Sequence, residues 1–459
     1  MRTLVSAIAA ALLSACPESS SDPSTVPERV ATPIVGEARP ALPLRDGWSE
    51  AQRALLESMS IDALTPLPAD PSNRVADSPE AAALGHLLFF DSRLSSNGKV
   101  ACASCHDPKR FFSDGLPVSK GVGVTQRNSP TVVGAAYSPW QFWDGRRDSL
   151  WAQALAPLES VAEMNVTRLE VVRQVARDPA ASALYRQAFG SPALAGDLAR
   201  FAPRAGPYGD DEARAAWARL STGDREAIDH AFANIGKAIA AYQRLLVPGP
   251  GRFDRYVRDL ARDPSEGALA SGLSASELMG LRLFLDVGRT QCLKCHNGPL
   301  FTNQGFHRVG TETAADGMPE FGRFLGIQAA LVDPFNCLGT FSDARPDACR
   351  ELRFLRRDHV DAEAGKFKTP TLRGLGKTAP YMHDGRFATL AAVIDHYRAP
   401  PPNPPTGTNG HELLPFELSL EESEAMAAFL ETLDGEVQAE ARWLTPPAQA
   451  IGNSRGGGT

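Results

Sequence analysis

Two short cysteine and histidine motifs are the residues of this chain with the clearest chemistry. Cys102-Ala103-Ser104-Cys105-His106 and Cys292-Leu293-Lys294-Cys295-His296 both have the pattern C-x-x-C-H. Two thiols at this spacing reach both vinyl groups of one porphyrin, and the adjacent histidine can bind its iron. A zinc site would need four ligands, and neither motif has a second C-x-x-C nearby. The sequence therefore predicts two covalently attached c-type haems, with His106 and His296 as iron ligands.

The sequence around the two motifs repeats. The octet LGHLLFFD at 84–91 matches MGLRLFLD at 279–286, and each octet precedes one motif. After the histidines, Phe111 matches Phe301. The chain thus holds two related cytochrome units, of which the first has a longer loop before its cysteines.

A second pair of cysteines, Cys337 and Cys349, lies in a stretch rich in Asp, Arg and Pro. In an oxidising compartment the pair predicts a disulfide. Closing so short a loop would stabilise the fold by roughly 2–4 kcal/mol through the unfolded state. A metal-binding or redox role for the pair is the alternative.

Further segments carry a family resemblance. They are QRNSPT at 126–131, FWDGR at 142–146, KTPTLR at 368–373 and TAPYMHDG at 378–385. With the two C-x-x-C-H motifs, over about residues 78–435, the chain resembles the bacterial di-haem cytochrome c peroxidase and MauG superfamily. In that family hydrogen peroxide reacts at the N-terminal haem, and the C-terminal haem passes or stores electrons. The resemblance implies that His106 is the proximal ligand of the reactive haem and His296 that of the second.

The resemblance also assigns residues to the reactive site. Gln153, Pro157 and Glu163 match the distal pocket, with Glu163 as the acid–base residue. Heterolysis of an O–O bond requires a proton to move from the inner oxygen to the outer one, which a positioned carboxyl can do. Trp143 matches a tryptophan that lies between the haems and assists electron transfer. As alternatives, Glu163 is a solvated residue before a helix and Trp143 is a core aromatic.

A calcium site between the haems is implied as well. Asn128, Thr378 and Pro380 match its ligands, which are an amide oxygen and backbone carbonyls. Oxygen ligands of this kind suit calcium. His383 matches a family position near the second haem, and the alternative is that it only braces its loop by hydrogen bonding.

Two departures from the peroxidase pattern bear on the iron ligands. Residues 107–127 contain no histidine and no methionine, so the first haem is expected to be five-coordinate unless a distant side chain reaches it. Where the typical peroxidase has a methionine ligand to the second haem, this chain has Tyr397, as MauG-like proteins do. A phenolate stabilises ferric and higher iron. His396 and Met382 are rival candidates for this position.

The MauG members of the superfamily oxidise a tryptophan in a partner protein through a surface tryptophan just before the second haem motif. Here Thr290 and Gln291 occupy that approach, so the same substrate is not expected. Trp140, Trp151 and Trp443 could serve another route for electrons, and otherwise they are packing residues.

The elements that must position these residues are predicted to be helical. Ser78-Pro79, Ser274-x-x-Glu277 and Ser419-x-x-Glu422 are helix start signals, and residues 224–247 have helical apolar spacing before Pro248. Gly435 is expected to end the last helix. Strand signals are sparse. The predicted fold is mainly α, with two cytochrome c-like domains, each with one covalent haem, joined by helices and long loops.

The first residues indicate export. A basic residue, an apolar run and small residues before Cys16 resemble a bacterial lipoprotein signal, which would place a lipid-anchored protein in the periplasm. An ordinary signal with an incidental cysteine is the alternative. The predicted organisation is a signal peptide at 1–15, a flexible tether at 16–46, cytochrome c-like domains at 47–270 and 271–440, and a disordered tail at 441–459.

Composition fits this picture. The 459 residues exceed one typical domain, and 43% hydrophobic with 22% charged residues is typical of a soluble globular protein. The net charge of −7 argues against nucleic acid as a partner. The leading hypothesis is a peroxidase that reduces hydrogen peroxide with electrons from a small cytochrome c or cupredoxin. The alternatives are MauG-like oxidation of a protein substrate, an oxygenase, and a non-enzymatic di-haem electron carrier with both irons six-coordinate.

Overall fold

The computed structural model describes residues 45–193, 198–262, 272–311, 318–355, 360–402 and 410–448. The predicted signal peptide, the lipidated Cys16 and nearly all of the tether lie outside these residues, as does the predicted tail beyond residue 448. Within the described ranges, no helix combines the length and apolar character that crossing a bilayer requires.

The fold is mainly α, as predicted. The helices are α1 Glu50–Met59, α2 Pro79–Phe89, α3 Cys102–Cys105, α4 Leu150–Glu159, α5 Arg168–Arg177, α6 Pro179–Phe189, α7 Asp211–Arg219, α8 Thr222–Gln243, α9 Arg252–Arg262, α10 Ala275–Leu285, α11 Cys292–Cys295, α12 Arg323–Val332, α13 Arg350–Arg353, α14 Leu390–Arg398 and α15 Leu420–Glu431. Two antiparallel pairs of very short strands accompany them. They are β1 Val247–Pro248 with β4 Val437–Gln438, and β2 Phe306–His307 with β3 Phe367–Lys368.

The predicted helix starts are confirmed. The Ser78 side chain accepts a hydrogen bond from the backbone of Ala81, with Pro79 as the first residue of α2. Ser274 and Ser419 begin α10 and α15 with complete capping boxes. These caps satisfy backbone N–H groups that a helix start leaves without intrahelical partners.

Two predicted helix ends are wrong. Helix α8 stops at Gln243 rather than at Val247, because Val247 and Pro248 pair with β4. Helix α15 stops at Glu431, before Gly435. A side chain at Gly435 would lie 2.1 Å from the carbonyl oxygen of Gly249, so this glycine permits two backbone segments to cross closely.

The first hydrophobic core surrounds α8, against which α2, α4 and α5 pack. Helix α2 approaches α8 closely, since a side chain at Gly85 would lie 1.9 Å from the carbonyl of Ala238. This core also includes Trp443, which belongs to the predicted disordered tail. That prediction is wrong at residues 441–444, which form a short 3₁₀ helix whose Trp443 carbonyl accepts a 2.6 Å hydrogen bond from Tyr242.

The second core is built on the packing of α10 against α15, with Phe284, Phe301 and Phe429 at its centre. Helices α1 and α9 also contribute to it, through residues such as Met59 and Tyr256. The predicted first domain, 47–270, therefore includes two helices whose apolar side chains pack in the second core.

The segment that contains α12 and α13 packs against the first core. The predicted disulfide between Cys337 and Cys349 is confirmed. Phe335 packs in the first core, although the segment lies beyond the second haem motif in sequence. Asp343 binds the Lys237 ammonium on α8 at 2.7 Å. A disulfide-closed strap, residues 333–353, thus fastens the second half of the chain to the first.

Candidate active site

The first C-x-x-C-H motif forms the single turn α3, with His106 directly after it. The Nδ1 atom of His106 lies 3.2 Å from the Phe112 carbonyl oxygen and 3.3 Å from the Ser129 hydroxyl, which itself donates to the Cys105 carbonyl. Burial lowers the pKa of His106. With Nδ1 engaged in this way, the neutral ring can offer Nε2 to a metal, which is the usual arrangement of ligating histidines.

The second motif repeats this geometry. His296 follows the single turn α11, and its Nδ1 lies 3.0 Å from the Phe301 carbonyl oxygen. Burial lowers the pKa of His296 to about 4. Both proximal histidine positions are therefore preorganised as neutral imidazoles.

The structure corrects the predicted match of Phe111 with Phe301. The residue that accepts from the first histidine is Phe112, which packs on Phe89 as Phe301 packs on Phe284. Phe111 instead corresponds to Leu300, since their carbonyls accept hydrogen bonds from equivalent threonines. The first loop has one more residue between histidine and phenylalanine, which an ungapped comparison misaligns.

A cavity of about 290 Å³ opens beside the second motif. Cys292, Cys295 and His296 line it, and so does Tyr397. The Tyr397 hydroxyl makes no hydrogen bond with any described residue, and burial raises its pKa. An enclosed hydroxyl without a protein partner, in one cavity with the cysteines and histidine, fits an iron ligand.

The two rivals of Tyr397 differ from each other. His396 uses Nε2 to bond the Val309 carbonyl at 2.7 Å, so that nitrogen is already engaged. Met382 lines the cavity, as Tyr397 does. The identity of the sixth ligand therefore stays a prediction, with Tyr397 favoured over His396.

A lysine that the sequence analysis did not single out also lines this cavity. The Lys368 ammonium has no hydrogen-bond or ion-pair partner in the described parts of the chain, and burial lowers its pKa to about 8. Buried cations normally have a counter-charge. A haem carries two propionate carboxylates, so the cavity offers both the attachment residues and a cation that fit a c-type haem.

Trp143 lines this cavity, and hydrogen bonds fix both its indole ring and its backbone. Its indole N–H donates to the Asn128 carbonyl at 2.9 Å, and its carbonyl accepts from the backbone of Lys368 at 2.7 Å. Its ring centroid is 6.5 Å from that of His383, whose carbonyl accepts from the backbone of Asn128. The structure thus brings together Trp143 and Asn128, predicted to lie between the haems, and His383, predicted to lie near the second haem.

His383 is buried and paired with a carboxylate. Its Nε2 lies 2.6 Å from Glu320, and its ring stacks on Phe367 with centroids 3.7 Å apart. Arg127 binds the other oxygen of Glu320 at 2.8 Å. Burial alone would raise the pKa of Glu320, but the hydrogen bonds and charges of His383 and Arg127 outweigh it and lower that pKa. No sequence motif indicated Glu320, because its partners are distant in the chain.

The three predicted calcium ligands line one cavity. Asn128, Thr378 and Pro380 all contact the space beside the second motif. The side-chain nitrogen of Asn128 donates to the Leu116 carbonyl at 2.8 Å. The side-chain oxygen of Asn128 therefore remains available to another partner. In the described ranges, no cluster of three acidic, histidine or cysteine side chains suits a metal, so a site here would rely on amide and carbonyl oxygens.

The predicted distal residues follow one another along α4 and the turn after it. Gln153 and Pro157 lie on α4, and the Pro157 carbonyl accepts from the backbone of Met164, next to Glu163. The Glu163 carboxylate is close enough to the first motif that its charge, after burial, helps raise the pKa of Cys102 to about 12. The structure therefore places Glu163 near the first haem attachment site.

The turn that carries Glu163 is clamped by the loop that lacks histidine. The backbone of Val122 donates to the Glu163 carbonyl at 2.7 Å, and Gly123 donates to the Ala162 carbonyl at 3.0 Å. A side chain at Gly121 would lie 2.4 Å from the Glu163 carbonyl oxygen.

A histidine close to the first motif in sequence, His86, is engaged elsewhere. It is buried in the first core, and its Nε2 bonds the Thr445 carbonyl. The prediction of a five-coordinate first haem stands as a prediction.

The residues considered for another electron route have packing environments. Trp151 is fully buried and donates to the Ser72 hydroxyl, and Trp443 fills the first core. Thr290 is buried with its hydroxyl on the Leu283 carbonyl, whereas Gln291 lies beside it at the cavity.

Comparison with known proteins agrees with this geometry. A sequence profile described as di-haem cytochrome c peroxidase matches residues 79–262. The methylamine utilization protein MauG of Methylorubrum extorquens is 34% identical over 360 residues, which covers 78% of this chain and 79% of that protein. The cytochrome-c peroxidase IdrP1 of Denitromonas iodatirespirans is 32% identical over 377 residues, covering 81% of this chain and 86% of that one.

Solved structures show the same fold. The diheme peroxidase BthA of Burkholderia thailandensis superposes with a TM-score of 0.56 at 21% identity, over 83% of this chain and 92% of that chain. A MauG-like protein associated with microbial copper homeostasis also gives a TM-score of 0.56, at 24% identity over 84% of this chain and 98% of that chain.

Proposed function

Because the chain belongs to the di-haem cytochrome c peroxidase family and is an oxidoreductase with two c-type haems, we propose that it reduces hydrogen peroxide to water with electrons from a small redox protein. The observation that carries the proposal is that Glu163, whose backbone carbonyl accepts a hydrogen bond from Val122, lies near the first attachment motif, whereas Tyr397 lines the cavity beside the second motif. The first motif has Glu163 for proton transfer, and the second has Tyr397, which favours the storage of oxidising equivalents.

The haem bound at Cys102, Cys105 and His106 supplies the iron at which the O–O bond of peroxide is cleaved. His106 would hold that iron through Nε2, because the Phe112 carbonyl and the Ser129 hydroxyl engage Nδ1. Glu163 takes the proton from the inner oxygen and gives it to the outer one, which leaves as water. The net reaction consumes two electrons and two protons and releases two waters.

Trp143 passes electrons between the two sites, since its ring lies beside the cavity of the second motif and its N–H is fixed on Asn128. Tyr397, which lines that cavity together with His296, would supply a phenolate ligand to a haem held there. Asn128, Thr378 and Pro380 would hold a calcium ion through an amide oxygen and backbone carbonyls, since the Asn128 amide nitrogen is engaged by Leu116 and leaves the amide oxygen available.

The electron donor is a small cytochrome c or cupredoxin. The protein works in the periplasm, in agreement with c-type attachment motifs and with the Cys337–Cys349 disulfide. Cys16 anchors it to a membrane through a lipid.

The direct test is the rate at which the ferric protein reacts with hydrogen peroxide. We expect Glu163→Gln to lower that rate by about 10²–10⁴, the usual contribution of a general acid–base group. Glu212→Gln is the matched control, because it removes an exposed carboxyl on α7 that belongs to no predicted site and should leave the rate unchanged. A Glu163→Gln protein that reacts as fast as the parent would overturn the assignment.

The electron paramagnetic resonance spectrum of the ferric protein tests the iron ligands. One high-spin and one low-spin haem are expected, the first at His106 without a sixth ligand. Two low-spin haems would contradict the open site and favour either an electron carrier or a peroxidase that must first be reduced.

A MauG-like activity is the second candidate, because Tyr397 lines the second cavity where the typical peroxidase has methionine. Steady turnover with a reduced carrier protein would favour the peroxidase. Stoichiometric oxidation of a partner's side chains, without such turnover, would favour the alternative.

A further inference from the structure

A second tryptophan, Trp140, lies three residues before Trp143 in the chain and is a potential competitor for the loss of an electron. Its ring is 8% exposed and packs with Ala330 and Leu352 of the segment that contains α12 and α13. Trp140 and Trp143 carry the same indole ring, so an oxidant able to take an electron from one can take an electron from the other unless their surroundings differ.

The Arg323 guanidinium lies against Trp140. Its central carbon is 4.0 Å from the Trp140 ring centroid and 4.0 Å from that of Phe306, so it is sandwiched between two aromatic faces. Arg323 is only 3% exposed. The charge is therefore held at a fixed place beside the indole.

No carboxylate forms an ion pair with Arg323 within the described residues. Its guanidinium donates to the backbone carbonyls of Gly145 at 2.7 Å and Asp144 at 3.3 Å. The Asp144 carboxylate binds Arg146, and Glu363 binds Lys366. Burial lowers the pKa of Arg323 to about 10, which leaves it charged near neutral pH.

A fixed cation affects the two oxidation states of an indole in opposite ways. It attracts the electron-rich face of the neutral ring. It repels the positive charge that the ring carries after losing an electron, and this repulsion is strong in a buried setting. Trp140 is therefore made harder to oxidise.

The surroundings of Trp143 differ from those of Trp140, although the Lys368 ammonium lines the same cavity as Trp143. Of the described lysines and arginines, none lies over its ring, and the nearby His383 is paired with the Glu320 carboxylate. The indole N–H of Trp143 donates to the Asn128 carbonyl, which favours a positive ring.

We propose that Arg323 keeps Trp140 from being oxidised and so confines electron transfer between the two haem sites to Trp143. The inference rests on the proposed function, which supplies hydrogen peroxide as the oxidant. Trp143 gives one electron to the oxidised first site and regains one from the second site. No atom moves in either step, and the indole proton stays on its nitrogen.

The test maps where oxygen is added to tryptophan when the ferric holoprotein meets a small excess of peroxide without an electron donor. Peptide mass spectrometry compares the parent with Arg323→Met, which removes the charge, and Arg323→Lys, which keeps it. We expect about tenfold more modified Trp140 in Arg323→Met, and parental levels in Arg323→Lys. Arg146→Met is the matched control, because Arg146 is in the same loop, paired with Asp144 and not over Trp140.

The same mapping is repeated with light-generated ruthenium tris-bipyridine and persulfate, which oxidise tryptophan without peroxide chemistry at the haem. If this arm shows the charge-dependent pattern but peroxide is not consumed, the inference stands and the proposed function fails. Equal Trp140 modification in parent and folded Arg323→Met would overturn the inference, and so would an increase in Arg323→Lys as large as in Arg323→Met, since lost packing would then explain both.

Thermal unfolding checks that the variants are folded. If Arg323→Met does not fold, Arg323→Gln replaces it as the neutral variant. The parent alone also tests the idea in the light-driven arm, where Trp143 is expected to be modified more than Trp140. Equal modification of the two tryptophans there would overturn it.

Discussion

Replacing Gly121 by alanine tests whether the position of Glu163 matters to catalysis. A Cβ atom at Gly121 would lie 2.4 Å from the Glu163 carbonyl oxygen and 2.6 Å from its Cα atom. Carbon atoms in ordinary contact are about 3.5–4.0 Å apart, so the turn that carries Glu163 must move by about 1 Å. A displacement of that size typically costs about 10²-fold in rate. We therefore expect Gly121→Ala to slow the reaction with peroxide by about two orders of magnitude.

The assay is stopped-flow absorbance of the ferric protein mixed with increasing peroxide, which gives a second-order rate constant. Gly123→Ala is the matched control, because a Cβ atom there would lie 3.3 Å from the Ala162 Cα atom, a tight contact that small movements relieve. Its rate should stay near that of the parent. Calorimetry on both variants separates a local shift from loss of the fold.

A double variant shows whether the loss acts through Glu163. If it does, Gly121→Ala should add little to the loss already caused by Glu163→Gln, because coupled residues are not additive. A Gly121→Ala protein with the parental rate would refute the reasoning. The reasoning would also be refuted if Gly121→Ala slowed the Glu163→Gln protein by the same factor as the parent, because the effect would then not act through Glu163.

Three further predictions concern stability. Asp254 and Arg373 form a fully buried ion pair at 2.6 Å, so Asp254→Ala should lower the free energy of unfolding by about 3–5 kcal/mol in urea titrations, because it leaves an unpaired buried charge. Serine at both Cys337 and Cys349 should cost about 2–4 kcal/mol, seen as a lower melting temperature that reducing agent reproduces in the parent alone. Burial raises the pKa of Asp148 from 3.8 to about 6. A raised carboxyl pKa adds stability that is present at low pH and lost as pH rises from about 4 to about 6, here about 3 kcal/mol, and Asp148→Asn should remove that decline in urea titrations across this range.

The parts of the site that lie in a few consecutive residues could be predicted from sequence. Each haem motif supplies two thiols and a histidine within one turn, and each capping box is complete within four residues. The disulfide was also predictable, because Cys337 and Cys349 are 12 residues apart, lie outside both haem motifs and, in an oxidising compartment, favour a bond over the alternative roles. At these positions, residues that are close in sequence determine the structure, so no knowledge of distant contacts is needed.

The rest depends on where distant segments meet. Glu320 binds Arg127, and Arg323 binds the Gly145 carbonyl, in each case almost two hundred residues earlier in the chain. The sequence around Glu320 and Arg323 does not indicate these partners. The misassigned Phe111 shows a different limit. Phe111 and Phe112 both have positive φ, so the loop absorbs an additional residue without disturbing the histidine, and sequence comparison alone does not reveal where.

The packing of α1 in the second core and of Trp443 in the first has a consequence for how the protein matures. As the chain is synthesised, the first core lacks Trp443 and its bond to Tyr242 until both haem motifs and α15 have appeared. Helix α1, in turn, has no partner until α9 and the second motif follow it. The two halves therefore complete each other rather than folding in order, and a gene divided between them would yield two incomplete cytochromes.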